Sequence, residues 1–190
     1  MASKSQTASV IGPGKVPVGV KINGQTLQAE FEPSTTLLDA MREYWNLTGA
    51  KRVCDRATCG ACTVLLDGVR VYACSILAID VGVSEVTTIE SLPDSDPVKL
   101  AFVANDAMQC GFCTPGFVMS CKGFQAEYPN PTADDMLKGM GGNICRCGSY
   151  VGIHKAVSQA VAAHARAKPA AAKARPSKRA HAKTARGRRK

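Results

Sequence analysis

Apolar and polar positions alternate from Val16 to Ile22 and again from Thr26 to Phe31, with Asn23-Gly24 between the two runs. Alternation over this length predicts two half-buried strands, and Asn-Gly is the turn pair that closes a type I′ hairpin. After Pro33-Ser34-Thr35-Thr36 the period lengthens: Leu37, Leu38, Met41 and Trp45 share one face of a helix, and Thr36 with Asp39 three positions later forms a capping box. Strand-like runs return at Cys62–Leu66 and Val69–Ala73 around a second turn, Asp67-Gly68, and place Cys74 at the far end of that hairpin. Val86-Thr87-Thr88-Ile89 supplies a final short strand. This order predicts a small mixed sheet wrapped on one helix, an α+β arrangement.

From Ser91 onward the period is helical. Asp96-Pro97 is an N-cap followed by proline at the first helical position, and Thr114-Pro115 repeats that signal, with Phe117, Cys121 and Phe124 on one face before Pro129 ends the helix. Thr132 with Asp135 opens a short third helix that Gly141-Gly142 closes, and Ser149 or Tyr150 opens a fourth bearing Ile153, Val157, Ala160 and Val161. Four helices with short links predict an antiparallel bundle. The chain therefore divides into a flexible lead over 1–15, a sheet domain over 16–92, a helical domain over 93–165 and a disordered basic tail over 166–190.

Charge is distributed unevenly between these parts. Of the 24 Lys and Arg, eleven lie in 166–190 with no Asp or Glu beside them, so the net +9 becomes −2 for residues 1–165. Basicity belongs to the tail, whose plain reading is a solvated charged end, with a weak contact to nucleic acid or an acidic partner as the alternative. The N-terminus lacks the apolar core of a signal peptide, and no window reaches the roughly 18 apolar residues of a membrane span. The chain reads as soluble and cytoplasmic.

Nine cysteines dominate the remaining chemistry. Their odd number and tight pairing do not suit a disulfide framework. Cys54-x4-Cys59-x2-Cys62, with Cys74 twelve positions on, has the spacing that holds a [2Fe-2S] cluster in plant-type ferredoxins. Small residues at Ala57, Thr58, Gly60 and Ala61 let that loop curl its N–H groups toward sulfur. Structural zinc is the alternative, but it ordinarily takes two separated pairs. Met108-Gln109-Cys110-Gly111-Phe112-Cys113-Thr114-Pro115-Gly116 and Asn143-Ile144-Cys145-Arg146-Cys147-Gly148 form a second set. On spacing alone Cys110, Cys113, Cys145 and Cys147 would also accept zinc, and thioredoxin-type redox chemistry is a third option. A helix start after each pair argues for an anionic cluster, because helix N-termini offer free N–H donors. Cys121 falls on an apolar helix face and reads as core. Bound metal would supplement two thin cores, so a poorly folded metal-free form is expected.

Residues 16–163 carry a family resemblance. The stretches Cys54–Val64, Gln109–Gly116 and Gly142–Gly148 resemble the small iron-sulfur subunit of the molybdenum hydroxylases, the family of xanthine dehydrogenase, aldehyde oxidoreductase and aerobic carbon monoxide dehydrogenase. The resemblance implies a β-grasp ferredoxin domain with a distal [2Fe-2S] cluster on Cys54, Cys59, Cys62 and Cys74. It implies a four-helix domain with a proximal [2Fe-2S] cluster on Cys110, Cys113, Cys145 and Cys147. It also implies a large partner subunit carrying molybdenum on a pyranopterin, against which Gln109 and Cys147 would lie, and a medium partner carrying FAD. Electrons would run from the Mo-pterin centre through proximal and distal clusters to the flavin. The resemblance leaves aldehydes, purines, N-heterocycles and carbon monoxide open as substrates, with the similarity of the Arg52–Arg56 region favouring an aldehyde. Two features depart from the family pattern: Asp55-Arg56-Ala57-Thr58 stands where Gly-Glu-Gly-Gly is common, and the basic tail has no counterpart.

No nucleophile pairs with a base in this sequence, and His154, His164 and His181 fall on the last helix or in the tail, so no catalytic residue is assigned. Two other readings stay open at this point. One is a free-standing two-cluster ferredoxin. The other is a zinc-stapled nucleic-acid-binding protein, which the near-neutral folded part and the absence of aromatic platforms among basic residues make unlike the usual pattern.

Overall fold

The computed structural model describes residues 14–128 and 130–167. Five strands, β1 (Val16–Ile22), β2 (Gln25–Phe31), β3 (Thr63–Leu66), β4 (Val69–Tyr72) and β5 (Glu85–Thr87), form one mixed sheet in the order β2-β1-β5-β3-β4. β1 and β5 run parallel, and the other pairs are antiparallel. Both hairpin turns have positive φ at their two central residues, Asn23 (52°) with Gly24 (80°) and Asp67 (50°) with Gly68 (80°), as type I′ geometry demands. Each turn also anchors β5. Asn23 exchanges side-chain bonds of 2.9 Å with the Thr88 amide and hydroxyl, and the Glu85 amide donates to Asp67 Oδ1 at 2.8 Å. A three-residue strand has few ladder bonds of its own, so these two side chains fasten it between the hairpins.

The expected helix after Thr36 is present but not regular. Thr36 Oγ1 accepts the Asp39 amide at 3.1 Å, one α-helical turn follows as α1 (Leu37–Asp39), and the chain then widens into π-helical turns over Ala40–Tyr44. The Asp39 carboxylate pairs with Arg52 rather than completing a capping box. The wider turns bring consecutive rings onto Phe31, Tyr44 at 5.3 Å and Trp45 at 5.9 Å, both edge-on. Leu37, Leu38 and Met41 are buried against Val20, Ile22, Val64 and Val86 of the sheet. β5 begins and ends earlier than its apolar run suggests, since Ile89–Ser91 turns into a 3-10 segment.

Four helices follow: α2 (Pro97–Ala104), α3 (Thr114–Glu127), α4 (Ala133–Met140) and α5 (Tyr150–Ala167). Asp96 Oδ1 caps α2 through the Val98 amide at 2.9 Å, and Thr132 with Asp135 makes a full capping box for α4. Phe102, Phe117, Phe124, Ile153 and Val157 meet in one apolar core separate from that under the sheet. Cys121 is fully buried there, and burial pushes its thiol up to about 12. α3 also lies across β3 and β4, where Arg70 reaches Glu127 at 2.7 Å and the Gly139 carbonyl. Among the described residues no helix is long and apolar enough to cross a membrane. The basic tail lies outside the described residues from 168 onward, as does the lead up to 13; α5 extends through Arg166 and Ala167.

Candidate metal centres

The first thiol set is assembled by the β3–β4 hairpin and the loop before it. Thr63 opposes Tyr72 in the register, so Cys62 and Cys74, just outside the paired strands, come together at the open end, where the Ala73 amide donates to the Cys62 carbonyl at 3.3 Å. The loop carrying Cys54 and Cys59 folds over them with left-handed backbone at Asp55 (57°), Ala57 (53°) and Gly60 (71°). That curl turns amides toward sulfur: Ala57 N–H lies 3.3 Å from Cys74 Sγ, and Thr58 and Cys59 N–H each lie 3.4 Å from Cys54 Sγ. Amide donors of this kind suit an anionic ligand set. The Arg56 and Thr58 amides bring the Cys54 thiol down to about 6, whereas burial, with Cys74 beside it, pushes Cys62 up to about 12.

The second set stands at one end of the helices. Cys110 and Cys113 flank Gly111 (φ 78°), with Cys113 at the N-cap of α3. Cys145 and Cys147 lie in the link between α4 and α5, where the Cys145 amide donates to Tyr150 Oη at 2.9 Å. Cys145 is buried and Cys113 half-buried, and the two influence each other's ionisation; Cys110 and Cys147 are exposed and do the same. Burial pushes Cys113 up to about 12. Burial also opposes ionisation of Cys145, yet the Ser149 amide, the Cys113 thiol and the Ser149 hydroxyl bring it below the ordinary thiol range. The Phe112 amide and the Cys147 thiol lower Cys110. Gln109 is exposed beside Cys110.

Each set thus holds its four predicted thiols as two pairs that influence each other's ionisation, Cys54 with Cys59, Cys62 with Cys74, Cys113 with Cys145 and Cys110 with Cys147. Among the described residues no three Cys, His, Asp or Glu side chains converge as the ligands of a single ion would. Paired thiols would suit a two-metal unit. The residues present fit a [2Fe-2S] cluster at both places.

Sequence reasoning missed the clasp between the two sets. Ile144 N–H donates to the Cys59 carbonyl at 2.9 Å, Asn143 Nδ2 donates to the Gly60 carbonyl at 2.9 Å and to Thr63 Oγ1 at 3.3 Å, and Tyr72 Oη donates to the Gly142 carbonyl at 2.9 Å. Gly116 is required where α3 crosses this loop, since a Cβ there would stand 2.3 Å from the Gly60 carbonyl oxygen. The sequence held one signal for this contact, glycine at 60, 116 and 142 within the cysteine motifs, but nothing in it pairs those positions.

A mixed sheet and a helical unit, each presenting four thiols and joined at their cysteine loops, define an iron-sulfur protein of two cluster-binding parts. Comparison with known proteins agrees. Residues 20–82 match the 2Fe-2S iron-sulfur cluster binding domain, and residues 88–158 match the [2Fe-2S] binding domain. The chain is 41% identical over 174 residues to the aldehyde oxidoreductase iron-sulfur-binding subunit PaoA of Escherichia coli O157:H7, covering 82% of this chain and 76% of that one. It is 37% identical to the nicotinate dehydrogenase small FeS subunit of Eubacterium barkeri, covering 77% and 96%. Among solved structures, quinoline 2-oxidoreductase from Pseudomonas putida 86 superposes with a TM-score of 0.76 at 35% identity, covering 81% of this chain and 98% of that one. The chain belongs to the family of small iron-sulfur subunits of the molybdenum hydroxylases. It is an electron-transfer subunit carrying two [2Fe-2S] clusters.

Proposed function

We propose that Cys54, Cys59, Cys62 and Cys74 hold the distal cluster in a β-grasp domain over 16–92, and that Cys110, Cys113, Cys145 and Cys147 hold the proximal cluster in a four-helix bundle over 93–165. Bound clusters of this type each take up and release one electron. The chain's own contribution is to fix the two ligand sets relative to each other and to present one of them to a partner. The observation that carries this reading is the 2.9 Å bond from Ile144 N–H to the Cys59 carbonyl, because it joins a neighbour of one ligand directly to a ligand of the other set. Exposure of Gln109, Cys110 and Cys147 supports a docking face there for a large molybdopterin-bearing subunit, with Gln109 and Cys147 against the pterin. A medium FAD-bearing subunit is the acceptor for the distal end. The assembly is cytoplasmic, and its substrate is an aldehyde, a reading supported by the 41% identity to an aldehyde oxidoreductase subunit.

The test begins with metal content: about four irons and four acid-labile sulfides per chain, with two separable paramagnetic signals on reduction. Cys113→Ser should remove the proximal signal and stop substrate-driven flavin reduction in the purified complex while the distal signal stays. Parent-rate flavin reduction in that variant would overturn the relay order. A chain that purifies alone with both signals would favour a free-standing ferredoxin, and one that binds zinc without colour would favour a structural metal protein.

A further inference from the structure

Ser149 occupies the position before the first residue of α5, where its carbonyl accepts the Ile153 amide at 3.0 Å. Serine at an N-cap ordinarily turns its hydroxyl back onto an amide of the first turn. Here it does not. The residue is 8% exposed, and its hydroxyl oxygen is buried with no hydrogen-bond partner. A buried hydroxyl left without a partner is unfavourable, so its position calls for an acceptor. Ser149 stands four residues after Cys145 across the Gly148 turn (φ 81°), close enough for its hydroxyl to lower the Cys145 thiol without a formed hydrogen bond between them. Tyr150 next to it accepts the Cys145 amide at 2.9 Å, so the link from Cys145 to the start of α5 is pinned.

Resting on the assignment of Cys145 to the proximal cluster, we propose that Ser149 donates an O–H···S hydrogen bond to that cluster through Cys145 and thereby raises its reduction potential. Reduction adds one electron and one unit of negative charge to the cluster. The hydroxyl dipole stabilises that added charge and keeps its own proton, so no bond is broken and no proton moves. Hydrogen bonds to cluster sulfurs are among the groups that set such potentials, and a donor held rigidly beside a ligand acts on one cluster only. Thr114 Oγ1, at the start of α3, is also buried without a partner, but no interaction directs it toward a sulfur. Ser149 is thus a tuning residue of the inner side of the proximal site, where Cys145 is buried and Cys113 half-buried.

The experiment is a redox titration of the assembled full-length complex, following each cluster by its own paramagnetic signal. Ser149→Ala and Ser149→Gly should each lower the midpoint potential of the proximal signal and leave the distal one in place, while Ser149→Thr, which keeps a hydroxyl, should hold the parent value. An unshifted proximal midpoint in the hydroxyl-free variants would overturn the proposal, as would equal shifts of both clusters. Loss of the proximal signal in both hydroxyl-free variants would make Ser149 a structural residue and overturn it too. If the unaltered complex shows no pair of iron-sulfur signals, the cluster assignment itself fails, a result distinct from all of these.

Discussion

Asn143 Nδ2 stands 2.9 Å from the carbonyl oxygen of Gly60, a residue 83 positions earlier, and it does so inside the protein, with Asn143 itself buried. The Gly60 oxygen also accepts Thr63 Oγ1 at 2.7 Å, so one peptide group gathers the cysteine loop, the start of β3 and the link between α4 and α5. Asn143→Ala leaves the rest of that network in place but removes a side chain that crosses between the two parts at their cysteine loops. It should cost about 1–2 kcal/mol, as the loss of a buried bond whose partner keeps another donor. Denaturant unfolding of the iron-loaded protein would measure it, and a change under a few tenths of a kcal/mol would show the bond to be dispensable.

Gly116→Ala should be more damaging. The added Cβ would stand 2.3 Å from the Gly60 carbonyl oxygen and 3.1 Å from the Ala61 Cα, both backbone atoms that cannot rotate away. α3 would have to lift off the loop, at a cost of about 3 kcal/mol on the scale of overpacked cores. Gly68→Ala is the control, since its Cβ meets nothing within 4 Å and only its φ of 80° is strained. There about 1 kcal/mol is expected. Comparable losses in the two variants would mean that the loop contact contributes little.

Ala57 holds φ at 53° with a side chain that disfavours it, and its amide lies 3.3 Å from Cys74 Sγ. Ala57→Gly should relieve about 1 kcal/mol of strain, part of which is offset by the freer unfolded chain. The thermal midpoint should stay level or rise, with the distal signal unchanged. A clear fall would show that the alanine methyl packs usefully.

Asp96 is 6% exposed, caps α2 and pairs with Lys122 at 2.9 Å. Burial opposes its ionisation, but the Lys122 ammonium and the Val98 amide outweigh burial and hold its carboxyl below the usual range. A lowered folded pKa means that this pairing contributes fully above the unfolded value of about 3.9 and fades as pH falls below it. Asp96→Asn, which keeps a capping oxygen but loses the charge, should cost about 1–2 kcal/mol at pH 7. The gap from the parent should close as pH falls below that unfolded value and the parent carboxyl takes up its proton. Unfolding curves across that range would show a constant gap if the ion pair were irrelevant.

Stripping iron with a chelator under anaerobic conditions should lower the thermal midpoint and broaden the transition, because eight thiols would then lose the ligand that binds only the folded form. An unchanged midpoint would mean that the two apolar cores suffice without metal.

Local chemistry made much of this legible from sequence. Asn23-Gly24 and Asp67-Gly68 named both hairpins because few residue pairs adopt two consecutive positive φ values, and Asp96-Pro97 and Thr132-x-x-Asp135 named two helix starts within a residue. All eight thiols assigned to clusters came from spacing and resemblance. What stayed hidden depends on atoms distant in sequence. The π-helical widening at Ala40–Tyr44 follows from Phe31 drawing in two successive rings, and no local propensity encodes it. The Asn143–Gly60 bond, Tyr72 on Gly142 and the seat of Gly116 arise only once sheet and helices meet. Ser149 read simply as a place to begin a helix, and only its buried, unpartnered oxygen marks it out.

β5 has a consequence for how the protein is made. It inserts between the two hairpins and is fastened by Asn23 and Asp67, yet it is encoded after Cys54, Cys59, Cys62 and Cys74. A chain emerging from the ribosome therefore exposes its whole first ligand set before the strand that closes the sheet exists. Metal delivered at that moment would meet a floppy loop, so maturation of the distal centre should wait on translation past Thr88, and the clasp from Ile144 on translation beyond that.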